Sequence, residues 1–211
     1  MKKLDTTMYF ITDSTNYDTE EFLSRIEEAC KGGVTLLQLR EKDKTTREYL
    51  SLAQKVHEIT RRYGIPLIIN DRVDVALAVD AEGVHVGQSD MPVSIARSLM
   101  GKGKIVGATA KTVPQALEAY NQGADYLGVG AIYPTTTKVK TVLTSVDTLK
   151  EIVKAVPIKV NAIGGLNKDN IHVLKGSGIS GICAVSAIMK ADNPCKAAKE
   201  LREAFYELQK D

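Results

Sequence analysis

Short apolar runs recur along this 211-residue chain, and each is followed by a polar cluster and then by a segment with helical periodicity. Several runs are continuously aliphatic, as at Leu67, Ile68 and Ile69, rather than alternating between apolar and polar residues. Strands that are covered on both faces have this character, which is typical of a parallel sheet. The pattern predicts eight strands, at residues 9–12, 36–39, 67–70, 84–86, 105–108, 126–129, 158–162 and 181–185.

The segments between these runs have apolar residues at helical spacing, and their first residues carry helix-start signals. Thr45 with Glu48 and Thr112 with Gln115 fit capping boxes, in which two side chains satisfy the first backbone N–H groups of a helix. Pro194 stands at a predicted first helical position, where its fixed φ is favourable. Strands and helices therefore alternate along the chain.

This alternation allows two architectures, a barrel or an open doubly wound sheet. A dinucleotide-binding open sheet would have a G-x-G-x-x-G loop after an early strand, but the first predicted strand leads into Thr12, Asp13 and Ser14. Polar residues instead follow nearly every predicted strand, and a barrel builds its site from such loops at one end. No linker or shift in composition divides the chain. We therefore predict a single-domain (β/α)8 TIM barrel over residues 1–211.

Composition narrows the setting of the protein. The 28 basic and 26 acidic residues give a formal net charge of +2, which favours neither nucleic acid nor an anionic membrane as a partner. The apolar stretch from Met8 to Ile11 is too short for a signal peptide, and no run is long enough to span a membrane. Three cysteines without metal-type spacing indicate a reduced compartment. We expect a cytoplasmic monomer or homodimer.

Charged residues close the second predicted strand, in the run Gln38, Leu39, Arg40, Glu41 and Lys42. Because side chains alternate along a strand, Gln38 and Arg40 face away from the side of Leu39. An arginine fork and a lysine point charge together can hold a multiply charged anion. Taken alone, the run is equally compatible with an ordinary solvated strand end.

Two aspartates follow neighbouring predicted strands, Asp71 after Asn70 on the third and Asp90 shortly after the fourth. Adjacent strand ends lie about 5 Å apart, so the two carboxylates can share one ion. Mg2+ takes one or two carboxylates, with waters and substrate phosphates completing its shell. The pattern predicts a magnesium site, with a helix N-cap as the alternative role for either aspartate.

The loop after the sixth predicted strand contains Thr135, Thr136, Thr137 and Lys138. Hydroxyls and a lysine can donate several hydrogen bonds to phosphoryl oxygens, whereas threonine runs alone are common in ordinary loops. Lys138 favours the anion site in this case.

A second anion site is predicted after the last two strands, from Gly165, Val185 and Ser186. Phosphate sites of (β/α)8 barrels frequently lie between the loops after strands seven and eight, where backbone N–H groups face the ligand. Gly165 allows the backbone to approach, and Ser186 adds a hydroxyl. The sequence thus predicts separate diphosphate and monophosphate pockets.

The three histidines are scattered and form no Ser–His–Asp arrangement. His57 and His172 fall in helical segments and are predicted to lie at the surface. His85 falls within a strand, where a hydrogen-bonded structural role is favoured over that of a general base. A site rich in cations and poor in bases suits the departure of diphosphate more than proton abstraction.

Taken together in order, these motifs resemble those of the thiamine phosphate synthase family, also called thiamine-phosphate pyrophosphorylases. The resemblance extends from Tyr9 to Ile188. The motifs that carry it are QLREK (38–42), NDR (70–72), GVHVGQSD (83–90), TTTK (135–138), IGG (163–165) and VSAI (185–188).

The resemblance implies an enzyme that joins 4-amino-2-methyl-5-pyrimidinylmethyl diphosphate to a thiazole phosphate, with loss of CO2 when the thiazole is the carboxylated form, and that releases diphosphate and yields thiamine phosphate. It implies one Mg2+ per subunit, bound by Asp71 and Asp90, and two small phosphorylated substrates as the only partners. The pyrimidine diphosphate would be held by Gln38, Leu39, Arg40, Glu41, Lys42, Asn70, Thr109 and Lys138, of which Arg40, Lys42 and Lys138 would be catalytic. The thiazole phosphate would be held by Thr135, Thr136, Thr137, Gly165, Val185 and Ser186.

The chain departs from the family pattern at three places. Thr109 replaces the usual serine, Lys111 stands where relatives often have histidine, and residues 139–143 replace a basic and acidic stretch. A thiazole tautomerase, which relies on that histidine, is the nearest alternative enzyme. A non-catalytic barrel that binds thiamine precursors is an alternative of another class. Phosphate-binding barrels of tryptophan biosynthesis are a third, although the paired aspartates argue against them.

Overall fold

The computed structural model describes residues 4–134 and 142–210. Within these residues, eight parallel strands form a closed barrel in chain order, and β1 pairs with both β2 and β8. The predicted (β/α)8 barrel is confirmed. The strands are β1 Met8–Ile11, β2 Leu36–Leu39, β3 Leu67–Asn70, β4 Gly83–Val86, β5 Ile105–Ala110, β6 Tyr126–Gly130, β7 Lys159–Ile163 and β8 Gly181–Ala184.

Helices connect the strands over the same described ranges, and none of them is both long and apolar enough to cross a bilayer. They are α1 Thr19–Lys31, α2 Thr46–Tyr63, α3 Val73–Ala78, α4 Val93–Met100, α5 Val113–Asn121, α6 Val146–Ala155, α7 Ser186–Met189 and α8 Pro194–Leu208, with a 3₁₀ helix at Ile171–Leu174.

Two strand ends differ from the prediction in ways that matter for the site. β5 continues two residues further than predicted, because Thr109 and Ala110 pair with Gly128 and Val129 of β6. Thr109 therefore lies inside a strand rather than after it. β8 ends one residue early, and Val185 instead precedes α7.

The alternation of side chains along each strand divides the core into two layers. Inward-facing residues of the barrel form one cluster, which includes Tyr9, Tyr126 and Cys183. Outward-facing residues such as Phe10 and Leu39 pack with the helices in a second, larger cluster. The predicted continuous aliphatic strands are thus covered on both faces, as a parallel barrel requires.

The helix-start signals are largely confirmed. Thr45 and Glu48 form a complete capping box at the start of α2. Thr112 caps α5 through the Gln115 N–H, but the Gln115 side chain accepts from the N–H of Lys111 instead, so this capping box is only half formed. The second hydrogen bond of the box is missing because the Lys111 N–H, one residue before the cap, donates to the Gln115 amide oxygen in place of the Thr112 N–H.

His57 was predicted at the surface, and that prediction is wrong. The residue is only 4% exposed, and its ring lies between the Val79 carbonyl oxygen at 3.1 Å and the Glu82 carboxylate at 3.2 Å. Its position explains the burial, because Ala53, one turn earlier on α2, also lies on the inward face. His172, in contrast, is exposed as predicted.

Candidate active site

A cavity of about 320 Å³ opens at the carboxyl ends of the strands. Because all eight strands are parallel, the loops that follow them meet at this one end. Ten of the sixteen predicted site residues line the cavity: Gln38, Arg40, Lys42, Asn70, Asp71, Asp90, Thr109, Gly165, Val185 and Ser186. The barrel therefore brings together side chains from β2 through β5 with loops that follow β7 and β8.

Two members of the QLREK run have side chains that lie elsewhere. Leu39 is fully buried in the outer core, because alternation along β2 places it opposite Gln38 and Arg40. The Glu41 carboxylate accepts a hydrogen bond from the Ser14 hydroxyl at 2.7 Å, and burial raises its pKa above the ordinary value. Neither residue lines the cavity, so their predicted contacts with the pyrimidine diphosphate remain predictions.

Asp71 occupies a tight turn at the end of β3. Its φ of 63° lies in the left-handed region, which is uncommon for a residue other than glycine, and its N–H donates to the His85 carbonyl oxygen at 2.8 Å. This turn brings the carboxylate into a close ion pair with the Lys42 ammonium group across the rim. The end of β3 is thereby joined to the cationic end of β2.

Asp90 lies in the loop after β4, where its carboxylate accepts a hydrogen bond from the Gly87 N–H at 2.8 Å. This bond closes the loop on itself, and α4 begins only at Val93, so Asp90 does not act as a helix N-cap. Burial raises the pKa of the Asp90 carboxyl, and the neighbouring Asp71 carboxylate raises it further, while the Gly87 N–H and Lys42 lower it less. The two carboxylates therefore lie close enough to repel each other.

The Asp71 and Asp90 pair fits a hard divalent cation. Both ligands are carboxylates, and a cation between them would relieve the repulsion that raises the Asp90 pKa. Within the described residues, no group of three or more His, Cys, Asp or Glu side chains could hold a metal. Two protein carboxylates would leave the remaining positions to waters and phosphate oxygens, which is the usual arrangement for Mg2+.

Arg40 and Asn70 are uncommitted polar groups beside this pair. The Arg40 backbone N–H donates to the Thr12 hydroxyl at 3.2 Å, but its guanidinium has no partner among the described residues. The Asn70 side-chain nitrogen is buried and has no hydrogen-bond partner within residues 4–134 and 142–210. An unsatisfied buried donor is costly, so the Asn70 nitrogen is suited to donate to a ligand in the cavity. The partly exposed Arg40 guanidinium is suited to pair with an anionic one.

The opposite side of the rim is shaped by Gly164 and Gly165, with φ values of 104° and 64°. A Cβ on Gly165 would lie 2.7 Å from the Cβ of Tyr133, so no side chain fits there without displacing the neighbouring loop. The Asn170 amide donates to the Gly165 carbonyl oxygen at 2.8 Å and holds the turn. This backbone lies open to the cavity beside the exposed Ser186.

Four predicted site residues, Thr135, Thr136, Thr137 and Lys138, lie outside the residues that the structure describes. Their predicted roles in binding and catalysis therefore remain predictions.

Four residues at or near the site were not among the predicted site residues: Tyr9, Tyr126, Gln88 and Lys111. Tyr9, Gln88 and Lys111 line the cavity, and the side chains of Tyr9 and Tyr126 lie inside the barrel. The available signal for Tyr9 was its inward position on a strand, where a phenol hydroxyl needs a polar partner. His85 also lines the cavity, and its ring is hydrogen-bonded, as the sequence suggested.

Comparison with known proteins places this site in a family. A sequence model described as thiamine monophosphate synthase matches residues 8–188. The chain is 51% identical over 205 residues to a thiamine-phosphate synthase of Methanobrevibacter smithii, covering 97% of this chain and 98% of that protein. This chain belongs to the thiamine monophosphate synthase family. It is therefore an enzyme.

Further relatives support the same family. A thiamine-phosphate synthase of Enterococcus faecalis is 56% identical over 185 residues, covering 88% of this chain and 87% of that protein. A solved structure of a thiamine phosphate pyrophosphorylase from Pyrococcus furiosus superposes with a TM-score of 0.87 at 39% identity, covering 97% and 98% of the two chains. A structure titled KGPDC from Streptococcus mutans, at 12% identity and a TM-score of 0.71, shows the shared barrel fold alone.

Two of the departures from the pattern of the thiamine monophosphate synthase family, Thr109 and Lys111, lie at the cavity. Thr109 faces the cavity from β5, so the replacement of serine keeps a hydroxyl at this position. Lys111 also lines the cavity and adds a further cation to its rim. Both departures leave the polar character of the rim intact.

Proposed function

We propose that this enzyme joins 4-amino-2-methyl-5-pyrimidinylmethyl diphosphate to a thiazole ethyl phosphate and produces thiamine phosphate and diphosphate with the help of Mg2+. The thiazole can be the non-carboxylated form or the carboxylated form, and the carboxylated form also releases CO2. The observation that carries the proposal is the pair of carboxylates, Asp71 and Asp90, next to the Lys42 ammonium group. The Arg40 guanidinium lines the same cavity and has no partner in the part of the chain that the structure describes. This combination suits a diphosphate with its metal better than a single phosphate.

The cavity has two ends of different character, which suits two phosphorylated substrates. The end formed by β2, β3 and β4 has the cations and the carboxylate pair, and we assign it to the diphosphate. The end at Gly165 and Ser186 offers open backbone and a hydroxyl, and we assign it to the monophosphate. The reacting carbon and nitrogen would then meet between the two ends.

The reaction requires the departure of diphosphate before or while the new bond forms. The C–O bond of the pyrimidinylmethyl diphosphate breaks, and the electron pair leaves with the diphosphate oxygen. The lone pair of the thiazole nitrogen then forms the new C–N bond, and no proton needs to be abstracted at this step. When bound, Mg2+ supplies positive charge beside the departing oxygens.

The chain's own residues have two tasks in this mechanism. Arg40 and Lys42 donate to the diphosphate as its charge increases, and Lys138 is assigned the same role. Removal of one such preorganised contact typically costs about 3–4 kcal/mol, or two to three decades in rate. The barrel also holds the two substrates in line, so that the reacting carbon and nitrogen no longer have to meet by diffusion.

The test is an assay with the purified protein and both phosphorylated substrates, in which products are identified by mass. We expect equal amounts of thiamine phosphate and diphosphate. Isomerisation of the thiazole carboxylate without joining would favour the tautomerase alternative, and tight binding without turnover would favour a binding protein. Either of these outcomes would overturn the proposal.

A further inference from the structure

A chain of hydrogen bonds crosses the barrel interior, and four of its five residues, Tyr9, Gln38, His85 and Thr109, line the cavity. The Gln38 side-chain nitrogen donates to the Tyr9 hydroxyl at 2.5 Å, and this hydroxyl lies 2.6 Å from that of Tyr126. The Tyr126 hydroxyl lies 3.1 Å from His85 Nδ1, and His85 Nε2 lies 3.0 Å from the Thr109 hydroxyl. The chain thus connects β2 with β5, three strands further round the barrel.

The surrounding residues make room for this chain. A Cβ on Gly107 would lie 2.1 Å from Cζ of Tyr126 and 2.3 Å from its hydroxyl oxygen, so the phenol fits only because residue 107 is glycine. The Tyr9 and Tyr126 rings meet edge to face, with centroids 5.5 Å apart at 83°. These contacts hold both rings in one orientation.

The hydrogen bonds have one direction along the chain. Each phenol has a single hydrogen, and burial raises the pKa of both Tyr9 and Tyr126 far above the ordinary value, so each hydrogen stays in place. Tyr9 accepts from Gln38 and therefore donates to Tyr126, which in turn donates to His85 Nδ1. His85 is then the Nε2–H tautomer, and it donates to the Thr109 hydroxyl.

This direction determines what the two ends offer to a ligand. The nitrogen of Gln38 is used in the chain, and its amide oxygen makes no hydrogen bond within the described residues, so the oxygen is available as an acceptor. Thr109 accepts from His85 and keeps its own hydrogen to donate. Both residues line the cavity. An acceptor and a donor that line one cavity can complement the amino group and a ring nitrogen of an aminopyrimidine.

We propose that Tyr9, Tyr126 and His85 are positioning residues that fix Gln38 as an acceptor and Thr109 as a donor, and so select the 4-amino group of the pyrimidine substrate. The inference rests on the proposed function, because it concerns the pyrimidine of that reaction. None of the three residues needs to touch the reacting atoms.

Tyr126→Phe and Tyr9→Phe test the proposal, since each removes one hydroxyl and keeps the ring. We expect kcat/KM for the aminopyrimidine diphosphate to fall about tenfold or more in both, with the KM for the thiazole phosphate unchanged within about twofold. With an analogue that lacks the 4-amino group, the variants should match the wild type within about twofold. An equal loss with both pyrimidines would overturn the proposal.

Tyr49→Phe is the matched control. Tyr49 is as deeply buried, and its hydroxyl donates to the Leu39 carbonyl oxygen at 2.7 Å, but it lies outside the cavity and the chain. This variant loses a buried hydroxyl and should discriminate between the two pyrimidines as the wild type does. The same loss of amino-group discrimination in Tyr49→Phe would mean that general loosening of the barrel explains the effect.

Nitrogen NMR of 15N-histidine-labelled wild type separates this inference from the proposed function. The signals of His85 are identified by their absence in His85→Gln, and we expect the shifts of the Nε2–H tautomer. If the wild type makes no thiamine phosphate, the proposed function fails while the tautomer still reports on the chain. An Nδ1–H tautomer would reverse the chain and overturn the inference.

Discussion

Replacement of Asp90 by asparagine should stabilise the metal-free protein and abolish its response to Mg2+. Asparagine has the same shape, and its oxygen can still accept from the Gly87 N–H. The substitution removes the negative charge of the Asp90 carboxylate. Burial and the neighbouring Asp71 carboxylate disfavour this charge, as the raised pKa of Asp90 indicates. A raised pKa means that the folded state binds the proton of the Asp90 carboxyl more tightly than the unfolded chain does. Loss of this proton as the pH rises through the raised pKa therefore lowers the free energy of unfolding.

The expected size follows from the position of Asp90 at the rim. Its carboxylate is only partly buried, so solvent screens the repulsion to roughly 0.2–1 kcal/mol. For a chain of this length that corresponds to an increase in Tm of ~0.4–4 °C. Mg2+ at about 100 times its Kd should stabilise the wild type by ~2.7 kcal/mol, or ~5–10 °C, and this gain should be lost in the variant.

Differential scanning calorimetry at neutral pH, with EDTA and with Mg2+, measures both effects. Asp74→Asn is the matched control, because Asp74 lies at the start of α3 and its hydrogen bonds with Arg72 lower its pKa. That variant should lose a little stability and keep the response to Mg2+. If Asp90→Asn keeps the Mg2+-induced shift, or unfolds at a lower temperature without metal, the assignment of Asp90 to a metal pair is refuted.

Three further predictions concern other parts of the barrel. Ser186→Ala should raise the KM for the thiazole phosphate more than that for the pyrimidine diphosphate in steady-state kinetics, and the reverse pattern would mean that the two ends of the cavity have been exchanged. Gly165→Ala should lower kcat/KM at least tenfold, because its Cβ would meet the neighbouring loop and its φ is positive; wild-type kinetics would show that the loop adapts. Glu82→Gln should lower stability at neutral pH by roughly 0.2–1 kcal/mol. Burial raises the Glu82 pKa, but hydrogen bonds from His57 and the Leu67 N–H together lower it by more, and solvent screens this partly exposed carboxylate. The wild type should lose this advantage as the pH falls from about 4.3 through the lowered pKa in urea unfolding, and equal stability of the two proteins at pH 7 would contradict the assignment.

The fold could be predicted because both of its periodicities are local. Continuous aliphatic runs such as Leu67 to Ile69 identify strands covered on both faces, and parallel strands that alternate with helices leave few topologies. The approach of Asp71 and Asp90 could be predicted for a similar reason, because they follow neighbouring parallel strands whose ends lie at one rim. The left-handed backbone turn at Asp71, which sets the direction of its carboxylate, could not be predicted from the sequence.

The parts that the sequence did not predict depend on which face a residue occupies. Leu39 and Glu41 belong to a contiguous motif, but alternation along β2 and a hydrogen bond to Ser14 direct their side chains away from the cavity. Tyr9 and Tyr126 resemble ordinary core residues in the sequence, and only barrel closure brings their hydroxyls together. The prediction for His57 was wrong because its burial depends on which face of α2 it occupies and not on its residue type.

The most direct test of the central claim is a Mg2+ titration of the initial rate of thiamine phosphate formation. Wild type, Asp71→Ala and Asp90→Ala would be compared at saturating concentrations of both substrates after treatment with EDTA. We predict saturable activation of the wild type by Mg2+ and a loss of at least a hundredfold in both variants, together with a weakened response to the metal. Wild-type rates in either variant, or full activity of the wild type in EDTA, would contradict a metal and diphosphate site at the ends of β3 and β4.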